Sequence, residues 1–411
     1  MSAGLMEADP AAASAFLAEP DAARMQRDRM DRVRAHMRDT GIDALVLLAN
    51  NHVVYTTGMV WPLPDAGRST FERPVAVVLA DDPHPHLFTP QRGSDVPDLA
   101  LPEDHVHGPT YLDVDEGVER FVAELSGLLP AGATLGIDEW THAMARERTL
   151  LFASGPPADA GRAVSAAKLI KTPDEVAFLR QGLAISEQAV AAVQQRLAPG
   201  MHQTELTSTF LGALFDAGAD ANVMDPMWQV MPARMADGPW TTTGDLAVPL
   251  LTTQRELHEG DVIWSDVSTS YRGLHTDFGR TWIVGREPDD RQRAQFDRWM
   301  HVLEAVLAVT RAGATCADLT SAAVEANGGG TPWLPHFYLG HGLGIDSAEM
   351  PFVGSDIGPA FDERFVLESG MVLVLEPIVW EEGAAGYRAE EVLLVTDDGW
   401  VPMTDYPYDP F

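Results

Sequence analysis

Trp264-Ser-Asp-Val-Ser-Thr-Ser-Tyr-Arg-Gly-Leu-His-Thr-Asp-Phe-Gly-Arg-Thr-Trp282 reads as strand, turn, strand, with Tyr271-Arg-Gly273 at the turn. Its two acids, Asp266 and Asp277, fall on one hairpin. An acid buried in a strand is costly unless a cation or a donor compensates it. Two acids brought together repel, so a metal ion is their natural partner. Three further candidate ligands follow: His341 in Leu339-Gly-His-Gly-Leu-Gly344, Glu376 in Val372-Leu-Val-Leu-Glu-Pro377, and Glu390 in Gly386-Tyr-Arg-Ala-Glu-Glu-Val-Leu-Leu-Val395. Each has a plainer reading. Asp266 could be an isolated turn acid, Asp277 a salt-bridged one and His341 a loop histidine. Glu376, deep in an apolar strand, is hard to explain without a cation. Glu390 has Glu391 beside it, and neighbouring strand residues face opposite ways, so only one should enter a site.

The order Asp, Asp, His, Glu, Glu at these spacings resembles the pita-bread metallopeptidase superfamily M24, which includes methionine aminopeptidase, prolidase and aminopeptidase P. The layout, with a domain ahead of the catalytic one, is similar to the prolidase, aminopeptidase P and creatinase branch. The resemblance is clearest over residues 165–411. It implies an α/β (α+β) chain, with a creatinase-like α/β N-terminal domain followed by a pita-bread domain of pseudo-twofold halves.

Composition sets outer limits. The 411 residues suggest two domains, each able to bury a core. The formal charge of −33 repels nucleic acid and anionic lipid. No apolar run reaches the roughly 18–20 residues that span a bilayer, and the N-terminus lacks the pattern of a signal peptide. The single cysteine, Cys316, excludes an internal disulfide and fits a reducing cytoplasm.

The expected organisation is a loose arm over 1–20, an N-terminal domain over 21–165 and a catalytic domain over 166–411. Met25, Met30, Val33 and Met37 mark an amphipathic helix closed by Gly41. Short strands are expected at Ile42 to Leu48, Pro74 to Ala80 and Leu135 to Asp138, with a loop from Pro62 to Arg73. Thr172, Pro173 and Glu175 form a helix start, and Pro199-Gly200 stops that helix. Gly200-Met-His-Gln-Thr-Glu-Leu-Thr-Ser208 and Gly313-Ala-Thr-Cys-Ala-Asp-Leu-Thr-Ser321 form a weak internal repeat. Two such halves would place the metal between them. His84 and His86 look exposed and show no metal spacing.

By the resemblance, Asp266 holds one ion, Asp277 and Glu390 bridge two, and His341 and Glu376 complete the second. Four carboxylates and two divalent cations balance in charge. Hard oxygens with one imidazole suit Mn(II), Fe(II), Co(II) or Zn(II), with Mn favoured. The resemblance also implies Glu376 as proton shuttle, and the family's ligand lies two residues after an arginine, which selects Glu390 after Arg388. Arg388 and Arg280 are candidates to orient ligands, and Arg388 could instead hold a substrate carboxylate. The glycines around His341 would let substrate approach the backbone, or serve a tight turn.

The resemblance breaks at two places. The branch carries a second histidine seven residues after the metal-binding one, where this chain has Ala348. It also carries one about 17 residues before the first Asp, where Leu246-Ala-Val-Pro-Leu-Leu-Thr-Thr253 offers none. Both serve the substrate. Three functions therefore stand at this point. The first is a metal-dependent hydrolase of the Xaa-Pro peptidase type, acting on a dipeptide-like molecule. The second is a non-peptide enzyme on the same scaffold, such as a lyase of the dimethylsulfoniopropionate type, with Asp346 or Glu349 as base. The third is a silent binding module. The expected setting is a cytoplasmic homodimer without nucleic-acid or membrane partners.

Overall fold

Met25, Met30, Val33 and Met37 share one face of a 19-residue helix, and all four are buried. The computed structural model describes residues 19–60, 73–90, 101–147, 155–231, 252–381 and 384–409. The expected arm over 1–20 and the loop over 62–73 lie mostly outside them, as does most of the 246–253 stretch. The chain forms two compact units, one comprising Pro20–Asp174 and the other carrying Glu175–Phe411.

In the first unit the elements run α1 (Ala22–Thr40), β1 (Ala44–Leu47), α2 (Asn50–Thr57), β2 (Val75–Leu79), β3 (His86–Phe88), β4 (Val106–His107), α3 (Asp115–Leu128), β5 (Leu135–Ile137), α4 (His142–Arg146), β6 (Ala158–Asp159) and α5 (Ala160–Leu169). Asp21 caps α1 by accepting the Arg24 N–H, and Gly41 ends it at φ 68°, where a side chain would be strained. The strands form one mixed sheet, ordered β4-β3-β2-β1-β5-β6. Val46, Val77, Phe88, Val118 and Phe121 meet in its core. Each fully buried side chain of this kind contributes about 1.5–3 kcal/mol.

The second unit runs α6 (Pro173–Arg196), α7 (Gln203–Asp216), β7 (Ala221–Asn222), β8 (Met227–Met231), β9 (Val262–Asp266), β10 (Thr269–Tyr271), β11 (Leu274–His275), β12 (Thr281–Ile283), α8 (Asp290–Val309), α9 (Cys316–Ala326), β13 (Gly340–Gly342), β14 (Glu349–Val353), α10 (Pro359–Asp362), β15 (Val372–Leu375), β16 (Ile378–Glu381), β17 (Ala384–Arg388), β18 (Glu391–Val395) and β19 (Trp400–Pro402). The opening segment is a hairpin. Its tip, Arg272-Gly273, takes positive φ at both residues, 55° and 73°, as a tight two-residue turn requires.

The internal repeat is structural. Gly200 and Gly313 both take positive φ, 87° and 86°. Each leads into a helix, α7 or α9, whose third residue, Glu205 or Asp318, accepts the N–H of the capping residue. His202 then bridges Glu256, and Thr315 bridges Val366. From there the chain enters β9 in one half and β15 in the other, the pseudo-twofold arrangement of a pita-bread domain. β9 sits centrally in the sheet β12-β9-β8, and β15 centrally in β14-β13-β15-β18-β19. Central strands are the most rigid places to mount a site. Among the described residues, no helix is long and apolar enough to cross a membrane.

Candidate metal centre

Asp266 closes β9, and Asp277 lies on the return arm of the same hairpin, next to Phe278, which bridges back to Val267. One ligand atom from each of Asp266, Asp277 and Glu390 lies within 4.8 Å of the others. His341 is the middle residue of β13. Its Nε2 stands 3.1 Å from Asp277 Oδ2 and 3.6 Å from Glu376 Oε1. Glu376 follows β15, and its backbone N–H donates to the Leu339 carbonyl at 2.9 Å. The structure thus brings all five sequence-derived candidates together.

Arg388 joins them. Its Nη2 donates to Asp266 at 2.9 Å and to Glu376 and Glu390 at 2.6 Å each. That nitrogen has two hydrogens for three carboxylates. Thr281 Oγ1 holds the arginine backbone, donating to its carbonyl and accepting its N–H. Arg280 points elsewhere. Its buried guanidinium donates to the carbonyls of Gly279, Glu390, Tyr406 and Pro407. It therefore positions the Glu390 backbone without touching the carboxylates.

The electrostatics call for more positive charge than one arginine supplies. Burial pushes the Asp277 carboxyl well above its ordinary value, and the charges of Asp266 and Glu376 push it further. Burial and Asp277 do the same to Glu390. Glu376 is also raised by burial, with Arg388 and His341 opposing. Glu390 Oε2 is buried without a hydrogen-bond partner. His341 makes the same point. Its Nδ1 lies 2.8 Å from the Gly342 carbonyl, which only accepts, so Nδ1 carries the proton. That tautomer leaves Nε2, which faces two carboxylate oxygens, free to ligate an ion between them. A cation removes each of these conflicts, and four hard oxygens with one imidazole form a donor set that fits divalent ions.

Exposure grades across the cluster. The side chains of Asp266 and Asp277 are 14% and 13% exposed, whereas Glu390 is 0% exposed. The mouth is therefore on the hairpin side. Glu391 faces away from the cluster. Burial pushes its carboxyl up to about 8, with Arg280 and Arg180 as the opposing charges.

The glycines around His341 serve strand packing. A Cβ on Gly340 would lie 2.3 Å from the Val374 carbonyl, and one on Gly342 would lie 2.1 Å from that of Met350. They allow β13 to pack between β14 and β15, and neither is a turn residue. Sequence reasoning missed two neighbours. Gly279 leaves room for the site, since a Cβ there would meet Glu390 Oε1 and the Ser265 carbonyl at 2.7 Å. The Tyr338 ring stands edge-on to His341 at 5.2 Å. Its hydroxyl is raised by burial and by Glu376 and Asp277. The Asp277-Phe-Gly279 spacing was a usable signal for the first; nothing in the sequence singled out the second.

A family model described as metallopeptidase family M24 matches residues 177–397, and one described as the creatinase/prolidase N-terminal domain matches 29–198. The chain belongs to metallopeptidase family M24. It is a metal-dependent hydrolase of that family. A protein named probable dipeptidase PepE from Mycobacterium tuberculosis is 26% identical over 388 residues, covering 93% of this chain and 95% of the relative. A creatinase from a Bacillus species is 23% identical over 407 residues, covering 93% and 91%. The crystal structure of the prolidase from Pyrococcus horikoshii superposes with a TM-score of 0.70 at 19% identity, covering 93% of this chain and 99% of that one. The last likeness bears on the fold alone.

Proposed function

We propose that this M24 member hydrolyses a peptide-like C–N bond, with two divalent cations held by Asp266, Asp277, His341, Glu376 and Glu390. The observation that carries the reading is the convergence of these side chains around one shared arginine. Such ions would supply a Lewis acid for the scissile carbonyl and a water acidic enough to attack near neutral pH. Mn(II) or Fe(II) suits the oxygen-rich donors best, and a reducing cytoplasm suits the lone buried Cys316.

The protein's own groups do the rest. Glu376, raised by burial, is placed to take a proton from the attacking water and hand it to the leaving nitrogen. The Gly342 carbonyl holds His341 in one tautomer. Arg388 restrains three of the carboxylates. A silent binding module would gain nothing from burying so many ionisable groups, and we set it aside.

Ala348 favours a second reading. A donor to a developing oxyanion is typically worth about 10²–10³ in rate, and alanine supplies none. Relatives named dipeptidase and creatinase match over similar lengths. The substrate is then a specialised peptide-like molecule or a small non-peptide carboxylate.

The test is a steady-state panel of Xaa-Pro dipeptides with Mn(II), Co(II) or Fe(II), alongside elemental analysis of the untreated protein. We expect two ions per chain and poor turnover of the simple dipeptides. A kcat/KM of about 10⁵ M⁻¹s⁻¹ or more would restore plain prolidase activity and make the imidazoles dispensable. Full activity after thorough chelation would end the metal mechanism itself.

A further inference from the structure

The Pro20–Asp174 unit holds a second cluster of ionisable side chains, which the proposed hydrolysis does not use. It lies at the edge of the six-stranded sheet, where β3 pairs with β2 on one side and with short β4 on the other. His86 opens β3, His105 immediately precedes β4, His107 ends β4, and Asp82 sits in the connection between β2 and β3. Asp82 Oδ2 faces two imidazoles. His105 Nε2 is 3.2 Å from it and His86 Nε2 is 3.9 Å from it. One ligand atom from each of the three residues lies within 4.8 Å of the others.

The outer atoms of the same three residues separate this group from a chance gathering of histidines. Asp82 Oδ1 accepts the His84 backbone N–H at 2.9 Å, which leaves Oδ2 for the rings. His105 Nδ1 lies 3.1 Å from Asp104 Oδ1. An ionised carboxylate only accepts, so Nδ1 donates, and this is the tautomer that leaves Nε2 to ligate an ion beside Asp82 Oδ2. His86 Nδ1 lies 3.1 Å from His107 Nε2. With Nδ1 as the donor there, His86 Nε2 also presents a lone pair. In all three residues the outer atom is engaged and the inner atom points toward a common space. Metal-binding imidazoles are held in this way, the second nitrogen tied to a carboxylate or another acceptor.

The local environment supports a cation over the alternatives. His86 is 6% exposed, so its polar nitrogens need partners. The His86 and His105 rings stack at 4.1 Å and 6°. Both rings turn Nε2 toward Asp82 Oδ2, so one ion placed beside that oxygen can reach both imidazoles. The Asp82 and His105 side chains are 26% and 13% exposed, which gives an ion access from solvent. Two imidazoles to one carboxylate select a borderline ion such as Zn(II) over Mg(II) or Ca(II), which prefer all-oxygen sites.

We propose that Asp82, His86 and His105 form a second metal site, for a borderline divalent cation such as Zn(II), with Asp104 and His107 as positioning residues. The ion would fasten the β2–β3 connection to the start of β4 and so close the exposed edge of the sheet.

The experiment uses the full chain carrying Glu390→Gln, which weakens the catalytic cluster and leaves this one intact. After chelation and dialysis, Zn(II) is titrated in, bound metal is measured by elemental analysis, and amide exchange is followed over residues 79–90 and 101–108. The expected result is one bound Zn(II) that slows exchange in both segments. Adding His105→Gln should weaken it tenfold or more and abolish the protection. Asp82→Asn, which keeps the side chain's shape, should do the same, so a folding failure in one variant leaves the other decisive. An unchanged stoichiometry and exchange pattern in either folded double variant overturns the site. So does the absence of Zn(II)-dependent protection in the Glu390→Gln chain.

Discussion

Two clusters in this protein set carboxylate against imidazole, and they are built of opposite materials. The M24 cluster has four acids to one histidine, drawn from positions as far apart as Asp266 and Glu390 and seated on or beside central strands. The N-terminal cluster has one facing acid to two histidines, drawn from residues no more than 23 positions apart at a sheet edge. Buried acids repel and must be forced together, so they need rigid strands on several sides and an arginine among them. Imidazoles can be buried neutral at far lower cost, so a turn and two short strands suffice to gather them. The difference should appear in metal preference, with hard ions favoured in the first cluster and borderline ions in the second.

The largest expected effect comes from Asp277→Ala. It removes the acid that faces both His341 and the other carboxylates. Hydrolysis should fall by at least about 10³-fold, on the scale of losing essential catalytic stabilisation, and catalytic metal should fall below one ion per chain. Zn(II) at the N-terminal cluster should be unaffected. Equal loss at both would show that the two clusters are not independent, and elemental analysis with the hydrolysis assay reads both.

Gly279→Ala comes next. The added methyl would meet Glu390 Oε1 and the Ser265 carbonyl at 2.7 Å. Overpacking of this kind costs about 1–3 kcal/mol, and here it also displaces a ligand. Denaturant midpoints should drop and metal affinity should weaken together. A stable variant with normal metal content would show that the β9–β12 hairpin has more room than its geometry suggests.

The Glu390 and Glu391 pair sharpens the comparison inside one unit. Glu390→Gln should release metal, while Glu391→Gln should leave metal content near normal. Their pH behaviour should differ as well. Burial pushes Glu391 up to about 8, so in the folded protein it stays protonated where the unfolded chain has already ionised. Its stabilising contribution is full below the unfolded value and is lost as pH rises toward 8. Urea midpoints should fall between pH 5 and pH 8 in the wild type and fall less in Glu391→Gln. Parallel pH curves for the two proteins would contradict the assignment.

The smallest effect is expected at His84. Only its backbone N–H holds Asp82, so His84→Asn should leave Zn(II) affinity unchanged within about twofold. A larger loss would place the His84 ring among the ligands.

Legibility in the sequence followed the cost of misplacement. Glu376 stood out because it interrupts an apolar strand, and Asp266 and Asp277 because a hairpin brought two acids together. The amphipathic period of α1 and its Gly41 stop were readable for the same reason, since each position carries a fixed local requirement. The sequence around His86 suggests exposure, whereas the structure buries it. Its neighbours His84 and Pro85 suggest a surface turn, but pairing of β3 with β2 carries it into the sheet. The partnership of residues 82, 86, 105 and 107 depends on a strand pairing between β3 and β4 that no local pattern announces. The packing role of the glycines flanking His341 is hidden likewise, because the backbone they admit comes from β14 and β15, whose pairing with β13 no local pattern announces.

Arg280 links the catalytic site to the order of synthesis. Its guanidinium sits beneath the first metal-site hairpin, yet its last acceptor, the Pro407 carbonyl, lies 127 positions later. A ribosome covers that distance in on the order of ten seconds. Until it does, the hairpin holds a buried arginine short of acceptors, which destabilises the folded arrangement. Arg280 thus gains its last two acceptors only after residues 406 and 407 are made, long after the N-terminal unit is complete at Asp174. Any ions that the M24 cluster holds would then be captured after that segment is in place.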